Sequence, residues 1–528
     1  MEKKRRRKRL RHHGLPVKRD KRSWCFAAFT AALLAGAPSP LRAEVKLPAI
    51  LSSHMVVQRD QPMHVWGWAT PEEKVSAEFN GAKRSTAADR LGRWDIFLPA
   101  QSAGGPYELT IKGENTIQLE DVLVGDVWFA SGQSNMEMPL AGFADSAVVT
   151  NSAEEIRNAN QPSVRLLLIR KKATDFPLRD YEPSAWTACT PETAAKFSAV
   201  AYFFGKELAE REHVPIGLID STWGGTPAEA WMSMAGLSAD SSLMPVFAEW
   251  ASFSNEQAET ARLIEAEKRE DEAARKANQP LPKHSWRPDP VSWQPAALFN
   301  AMVAPALDFH IKGVIWYQGE SNASAERANL YERVFPALIA DWRANWHQGD
   351  FPFLFVQIAN FKSGAQASWP TVREAQRRTL SVANTAMAVT IDIGDPDNVH
   401  PANKQDVGAR LALAARKLAY GEDVEYSGPV YRELAAEGSS LRVWFDHVLG
   451  GLVAKGDALK GFEIAGDDHH FMSANARIDG HTVVVSREAV SNPRFVRYGW
   501  ANAPAVNLYN GQGLPASPFT SEDRIPKP

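Results

Sequence analysis

Cysteine is nearly absent from this chain: 528 residues carry two, Cys25 and Cys189. No internal disulfide framework is available, so a large apolar core has to hold the fold. Long apolar runs are missing as well. The stretch Trp24–Ala37 spans fourteen residues, too few to cross a bilayer comfortably, which takes about twenty. No glycine-rich phosphate loop or dinucleotide fingerprint stands between a strand and a helix, which argues against nucleotide-dependent chemistry. Basic charge is scarce beyond the N-terminus. Residues 1–43 hold 13 Lys/Arg and 2 Asp/Glu, and the remainder has 46 basic against 60 acidic residues, a net of −14. Such a surface is a poor partner for nucleic acid or an anionic membrane, and suits a neutral or cationic one.

What is present is the composition of a soluble globular protein, 44% apolar and 23% charged, with length for about three domains. Most of its 17 tryptophans serve cores, although a flat indole also stacks on the apolar face of a sugar ring. The N-terminus runs from a basic stretch over residues 3–22 through the short apolar segment to Pro38, Pro40 and Ala43. That layout predicts a secretory signal peptide over 1–43, hence a secreted or periplasmic protein with no stable membrane insertion after cleavage. A short membrane anchor is the alternative. Cys25 lacks the small-residue context of a lipid-attached cysteine.

Residues 44–121 read as β structure. HVWGWA, KVSAEFN, RWDIFLPA and YELTIKG are short, aromatic or β-branched, and separated by turn residues, which predicts a small sandwich-like domain. From 122 to 425 the pattern changes. Buried-strand runs at Val127–Ala130, Val164–Ile169, Ile216–Ile219, Gly313–Tyr317, Phe353–Ile358 and Ala386–Ile393 alternate with helical patterns such as Ala199–Arg211, Leu330–Trp346, Thr371–Val382 and Lys404–Tyr420. This predicts an α/β unit with a parallel sheet covered on both faces. In such a sheet, ligands sit beyond the carboxyl ends of the strands. The Ala/Glu/Lys/Arg-rich stretch 255–277 predicts an exposed helix inside an insertion over 236–292. A solvated spacer is the favoured reading, and a lid or subunit contact the other. Residues 426–528 return to short β segments, a third, β-rich domain.

Four polar segments follow predicted strands. GDVWFASGQSNMEM (125–138) carries Gly132, which permits a sharp turn, and places Ser134 at the start of a helix, where free backbone N–H groups favour developing negative charge. An ordinary helix cap would use the same residues. IGLIDSTWGGTPAEAW (216–231) ends its strand in Gly224 and Gly225, whose N–H groups suit an oxyanion hole or a plain tight turn. VIWYQGESNAS (314–324) offers Gln318 as an amide donor and Glu320 as a structural acceptor or a catalytic carboxylate. DIGDPDNVHPANKQDVGARLALAA (392–415) sets Asp397 three residues before His400, a spacing that lets a carboxylate reach its own histidine and leaves the other ring nitrogen for a serine. Asp392 and Asp395 compete for that place.

Taken together, the four segments resemble the SGNH/GDSL hydrolase superfamily and, more closely, the sialate O-acetylesterase family. GQSNM, WGGTPAEAW, WYQGESN and DNVHPANKQDVGARLA are similar to that family's blocks, and the resemblance covers about 122–420. Gln133-Ser134 stands where other GDSL members have Asp-Ser, and Gln318-Gly319-Glu320 where they have Gly-x-Asn-Asp. The resemblance implies an SGNH-type three-layer α/β fold flanked by β-rich domains. It implies Ser134 as nucleophile, His400 as general base and Asp397 as its support. The implied oxyanion donors are the N–H groups of Ser134 and of Gly224 or Gly225, with the Gln318 amide. Asn135, Trp223, Trp316 and Glu320 are the implied substrate contacts. The expected activity is hydrolysis of acetyl esters on sugar hydroxyls through an acetyl-enzyme, with no cofactor, on sialic acid or plant cell-wall glycans. A non-catalytic glycan-binding protein on a retired hydrolase core and a GDSL lipase or arylesterase are the competing readings. Asp467-Asp468-His469-His470 lies in the β-rich tail, away from the sheet, and is not expected to bind metal.

Overall fold

The computed structural model describes residues 44–143, 147–282, 284, 287–364, 367–456 and 458–526, except the side chains of 256–259 and 261. The expected signal peptide, 1–43, lies outside them. Residues Glu44–Pro528 form one compact unit, and no helix among the described residues is long and apolar enough to cross a membrane.

The N-terminal β region contains the antiparallel pair β1 (Met63–Trp68) and β2 (Arg93–Leu98). Strand β3 (Thr116–Gly132) is 17 residues long and does two jobs. Its first half pairs with Gly104–Lys112 of the N-terminal region, and its second half is the centre of the α/β sheet. The boundary expected at 121/122 therefore falls inside one strand. The change in pattern that suggested it marks a strand leaving a sheet with one wet face for a sheet buried on both, since burial becomes continuous from Val122 onward.

The α/β sheet adds β4 (Gln161–Leu168), β5 (Ile216–Thr222), β6 (Gly313–Tyr317), β7 (Phe353–Val356) and β8 (Thr385–Ala388). Their order is β8-β7-β6-β3-β5-β4, all parallel, with Thr187–Cys189 antiparallel at one edge. The fold class read from the sequence, a parallel α/β sheet flanked by β-rich regions, is the fold observed. The helices are α1 (Ser134–Glu137), α2 (Ala199–Glu212), α3 (Pro245–Lys276), α4 (Ala325–Trp346) and α5 (Lys404–Leu418); α2, α4 and α5 lie where apolar periodicity predicts them, and α3 contains most of the charged stretch 255–277 and starts ten residues before it. Helices α2 and α5 pack closely at Gly408, where an added Cβ would meet Phe203 Cβ at 2.6 Å and Phe204 N at 2.8 Å.

The C-terminal region builds its own apolar core around Val443, Ile464, Val483, Tyr498 and Phe519. It is stitched to the α/β unit by Arg373, which is fully buried and donates to the carbonyls of Ile358, Ala359, Ala501 and Asn502 at 2.8–2.9 Å. The insertion is more than a solvated spacer. The first turns of α3 bury Val246 and stack Phe253 on Trp293 at 4.6 Å, while much of the remaining helix is exposed.

Replacing Gly408 with alanine should destabilise the protein by about 1–3 kcal/mol through overpacking of α2 against α5. Chemical denaturation followed by circular dichroism measures this, and an unchanged midpoint would show that the two helices can separate without cost.

Candidate active site

Parallel strands deliver their following loops to one edge, and four such loops meet there. Gly132, at the end of β3, has φ 132°, and a Cβ on it would lie 2.2 Å from Tyr317 O of β6. Only glycine fits this approach. The turn it allows starts α1 and leaves Ser134 partly exposed. Ser134 and His400 line the same cavity of about 1000 Å³. Among the described residues no hydrogen bond joins the Ser134 hydroxyl to the imidazole. The ring of His400 rests edge-on against Phe143, with centroids 5.2 Å apart.

The loops are fastened beneath the cavity by a buried polar network. Asn135, 1% exposed, donates from Nδ2 to Glu320 Oε1 (2.6 Å) and Val399 O (2.9 Å), and its Oδ1 accepts from Lys404 Nζ (2.6 Å). Gln133 Oε1 accepts from the N–H groups of Gly319 and Ser321 at 3.3 and 3.1 Å. Burial pushes the Glu320 carboxyl up, and its Oε2 has no hydrogen-bond partner among the described residues. Burial pulls the Lys404 ammonium down to about 7, against the attraction of Glu320. Burial, and then the Lys404 charge, hold the His400 imidazole down at about 4.

Several expected roles do not survive this geometry. Asp397 is 81% exposed and pairs with Lys362 at 3.1 Å, away from the His400 ring. Asp392 is committed to Arg410 by two hydrogen bonds of 2.7 and 2.8 Å. Asp395 accepts from the Asp397 N–H (2.9 Å) as a turn residue. No carboxylate of a described residue bonds the His400 ring. Gln318 is fully buried, and its amide donates to Thr226 O (3.2 Å) and Asn322 Oδ1 (2.6 Å) while its carbonyl accepts from Tyr331 (3.0 Å). It has no donor left for an oxyanion and acts as a strut between loops. Trp316 is likewise a core residue, packed among Trp231, Phe335, Trp342 and Phe353. Asn135 contacts the loops, not the cavity, whereas Trp223 and Glu320 do line it.

Gly224 and Gly225 also line the cavity, and Gly224 packs on Ser134: a Cβ there would lie 3.1 Å from Ser134 Cβ. The Gly224 N–H donates to the Glu137 carboxylate, which is also paired with Lys171 at 2.5 Å. The turn is pinned by Trp293 Nε1, which donates to Gly225 O at 2.6 Å. Glu137, Lys171, Lys404, Trp293, Phe361 and Trp369 were not anticipated as site residues. Glu137 and Lys404 carried a signal, because they sit three and four residues after Ser134 and His400. The aromatic walls come from distant segments and carried none.

The family model for carbohydrate esterases described as sialic acid-specific acetylesterases matches residues 284–417. The chain is 30% identical to the sialate O-acetylesterase of Rattus norvegicus, over 90% of this chain and 94% of the relative. It is also 30% identical to that of Homo sapiens, over 90% and 92%. A carbohydrate acetylesterase from Xanthomonas citri superposes with a TM-score of 0.78 at 40% identity, covering 91% of this chain and all of the other. With the cavity, its serine and its histidine in place, the chain belongs to the sialate O-acetylesterase family of carbohydrate esterases.

Proposed function

We propose that this carbohydrate O-acetylesterase removes acetyl groups from oligosaccharide hydroxyls by attack of Ser134, with His400 as the base. The observation that carries this reading is the shared cavity of about 1000 Å³, whose rim holds Ser134, His400, Gly224 and Gly225. An acetyl group fills a small corner of it. The rest, walled by Phe143, Trp223, Trp293, Phe361 and Trp369, is at the top of the roughly 300–1,000 Å³ range of ligand pockets and leaves room for more than one sugar ring. Aromatic faces give such rings a stacking surface.

In the reaction, His400 takes the Ser134 proton as the oxygen attacks the acetyl carbonyl. The oxyanion faces the Ser134 N–H, which heads a short helix without a backbone partner, and the Gly225 N–H; the Gly224 N–H is spent on Glu137. The proton on His400 passes to the departing sugar oxygen. A water deprotonated by the same imidazole then frees acetate and restores Ser134. Asp397 has no part in this. Of the two carboxylates lining the cavity, Glu137 is committed to Lys171 and Gly224, whereas Glu320 keeps an unbonded oxygen. Glu320 therefore acts on the imidazole through Lys404, whose cation it attracts and which in turn disfavours the imidazolium. The signal-like layout of residues 1–43 supports export to where extracellular glycans are met.

Three measurements test this. With acetylated sialic acids and acetylated plant oligosaccharides as substrates, Ser134→Ala should lower acetate release by more than about a thousandfold, and normal release would remove Ser134 from the mechanism. Glu320→Gln keeps the hydrogen-bonding shape but not the charge. It should lower kcat by about ten- to a hundredfold with KM little changed; an unchanged kcat would show that the Glu320 charge plays no part in proton transfer at His400. A base must be neutral to act, so a histidine held at about 4 keeps kcat/KM flat from neutral pH down to about pH 4. In Lys404→Met the cation that disfavours the imidazolium is gone, and the acid limb should move up from about 4 while burial, the larger cause, still holds it below the ordinary histidine value. A pH–rate profile of a folded Lys404→Met protein with an unmoved limb would contradict that coupling.

A further inference from the structure

A second cavity of about 1010 Å³ lies away from the catalytic loops, between the β1–β2 pair and the α/β unit. Its floor follows from strand alternation. On β1 and β2 one face is sealed in the core by Met63, Val65, Trp94, Ile96 and Leu98. The other face presents three cross-strand pairs: His64 with Phe97, Trp66 with Asp95, and Trp68 with Arg93. All six line the cavity. His64 lies flat on Phe97, centroids 4.3 Å apart and 8° between planes, and Phe97 is 53% exposed. Trp66 is packed into the core at 8% exposure, so the rings open to a ligand are His64, Trp68 and Phe97.

The facing wall gives the ligand's character. Arg179 and Asp308 lie there, and with Asp89, Asp95 and Arg93 on the β side the two signs are interleaved. The Asp89–Arg93 pair is closed at 2.8 Å and the Asp308 carbonyl accepts from His64 Nδ1 at 3.1 Å, while the side-chain polar atoms of Asp95, Asp308 and Arg179 have no ion-pair or hydrogen-bond partner among the described residues. Flat rings flanked by separated polar groups, three carboxylates against two guanidiniums, match a neutral polyhydroxylated ligand better than an anion or a lipid. The cavity is also joined to the active site by one segment. Lys171 lines the catalytic cavity, and Pro177, Leu178 and Arg179 line this one. The six residue steps from Lys171 to Pro177 can span at most about 20 Å.

We propose that this cleft is a second carbohydrate-binding site, which holds a neutral stretch of the glycan chain whose acetylated unit reaches Ser134. The proposal rests on the glycan-esterase reading for the identity of its ligand, but its test does not need turnover. The full chain carrying Ser134→Ala is titrated calorimetrically with neutral β-1,4-linked hexasaccharides of xylose, glucose and mannose and with an anionic sialo-oligosaccharide. The same titration is run with Asp95→Ala and Phe97→Ala added. Both side chains are exposed, so the fold is undisturbed, and hydrolysis of p-nitrophenyl acetate by the Asp95→Ala/Phe97→Ala enzyme with Ser134 intact should match the parent. The expected result is binding of at least one hexasaccharide that weakens by about tenfold or more when the cleft pair is removed. Equal affinity with and without the pair, no binding of any hexasaccharide, or preference for an anionic sialo-oligosaccharide would each overturn it. Acetate release measured in parallel separates the two readings. Loss of cleft binding on mutation with no esterase activity in the parent condemns the function and keeps the site. Normal acetate release with cleft-independent binding does the reverse.

Discussion

A single buried amide holds the reacting groups in register. Asn135 follows Ser134 directly, and its three hydrogen bonds reach the backbone beside His400, the Glu320 loop and the first turn of α5. Such a group costs roughly 1–3 kcal/mol for each partner it loses in a dry interior, so the arrangement is close to all-or-none. If the His400 loop drifts, Asn135 and Lys404 are both left unpaired. The relation between serine and imidazole is thus set from below, by residues that need not touch substrate. This explains why Asn135, an implied substrate contact, and Gln318, an implied oxyanion donor, are instead sealed and fully bonded.

Much of the architecture was legible because burial leaves a periodic trace. Gly313–Tyr317 is observed with the limits its apolar run suggests, and α2 and α5 agree with theirs to within two residues. The carboxyl-end rule then collects Ser134, Gly224, Gly225, Glu320 and His400 on one rim, and all five line one cavity. The domain boundary failed for a reason of the same kind. Periodicity reports how many faces of a strand are dry, and β3 changes from one to two at Val122 without ending.

The misplaced roles share another cause: spacing along the chain does not say which way a side chain faces. Asp397 is three residues before His400, but the loop spends its local carboxylate bonding on its own turn, with Asp395 capping the Asp397 N–H and Asn398 the His400 N–H. Asp397 is left in water. Trp316 lies on a strand buried along its whole length, so a tryptophan there had only core neighbours to meet. Lys404 was hidden in the opposite way. A lysine opening a helix is ordinarily solvated, and only the three-dimensional position of Asn135 and Glu320 makes a buried ammonium tolerable there.

The regions outside the α/β sheet follow from the same demand for a rigid cavity. Each one backs a part of its wall. The insertion supplies Phe253 behind Trp293, which in turn pins Gly225. The C-terminal region bonds the N–H of Phe361, a wall residue, through Asn502 O, and grips the neighbouring carbonyls of Ile358 and Ala359 through Arg373. The N-terminal region shares β3, whose last residue shapes the Ser134 turn. A bare parallel sheet ends in loops that surround open space. Here those loops are held from outside by three regions that lie apart in the chain, and this is the physical reason that residues 44–528 fold as one compact unit despite two separate apolar cores.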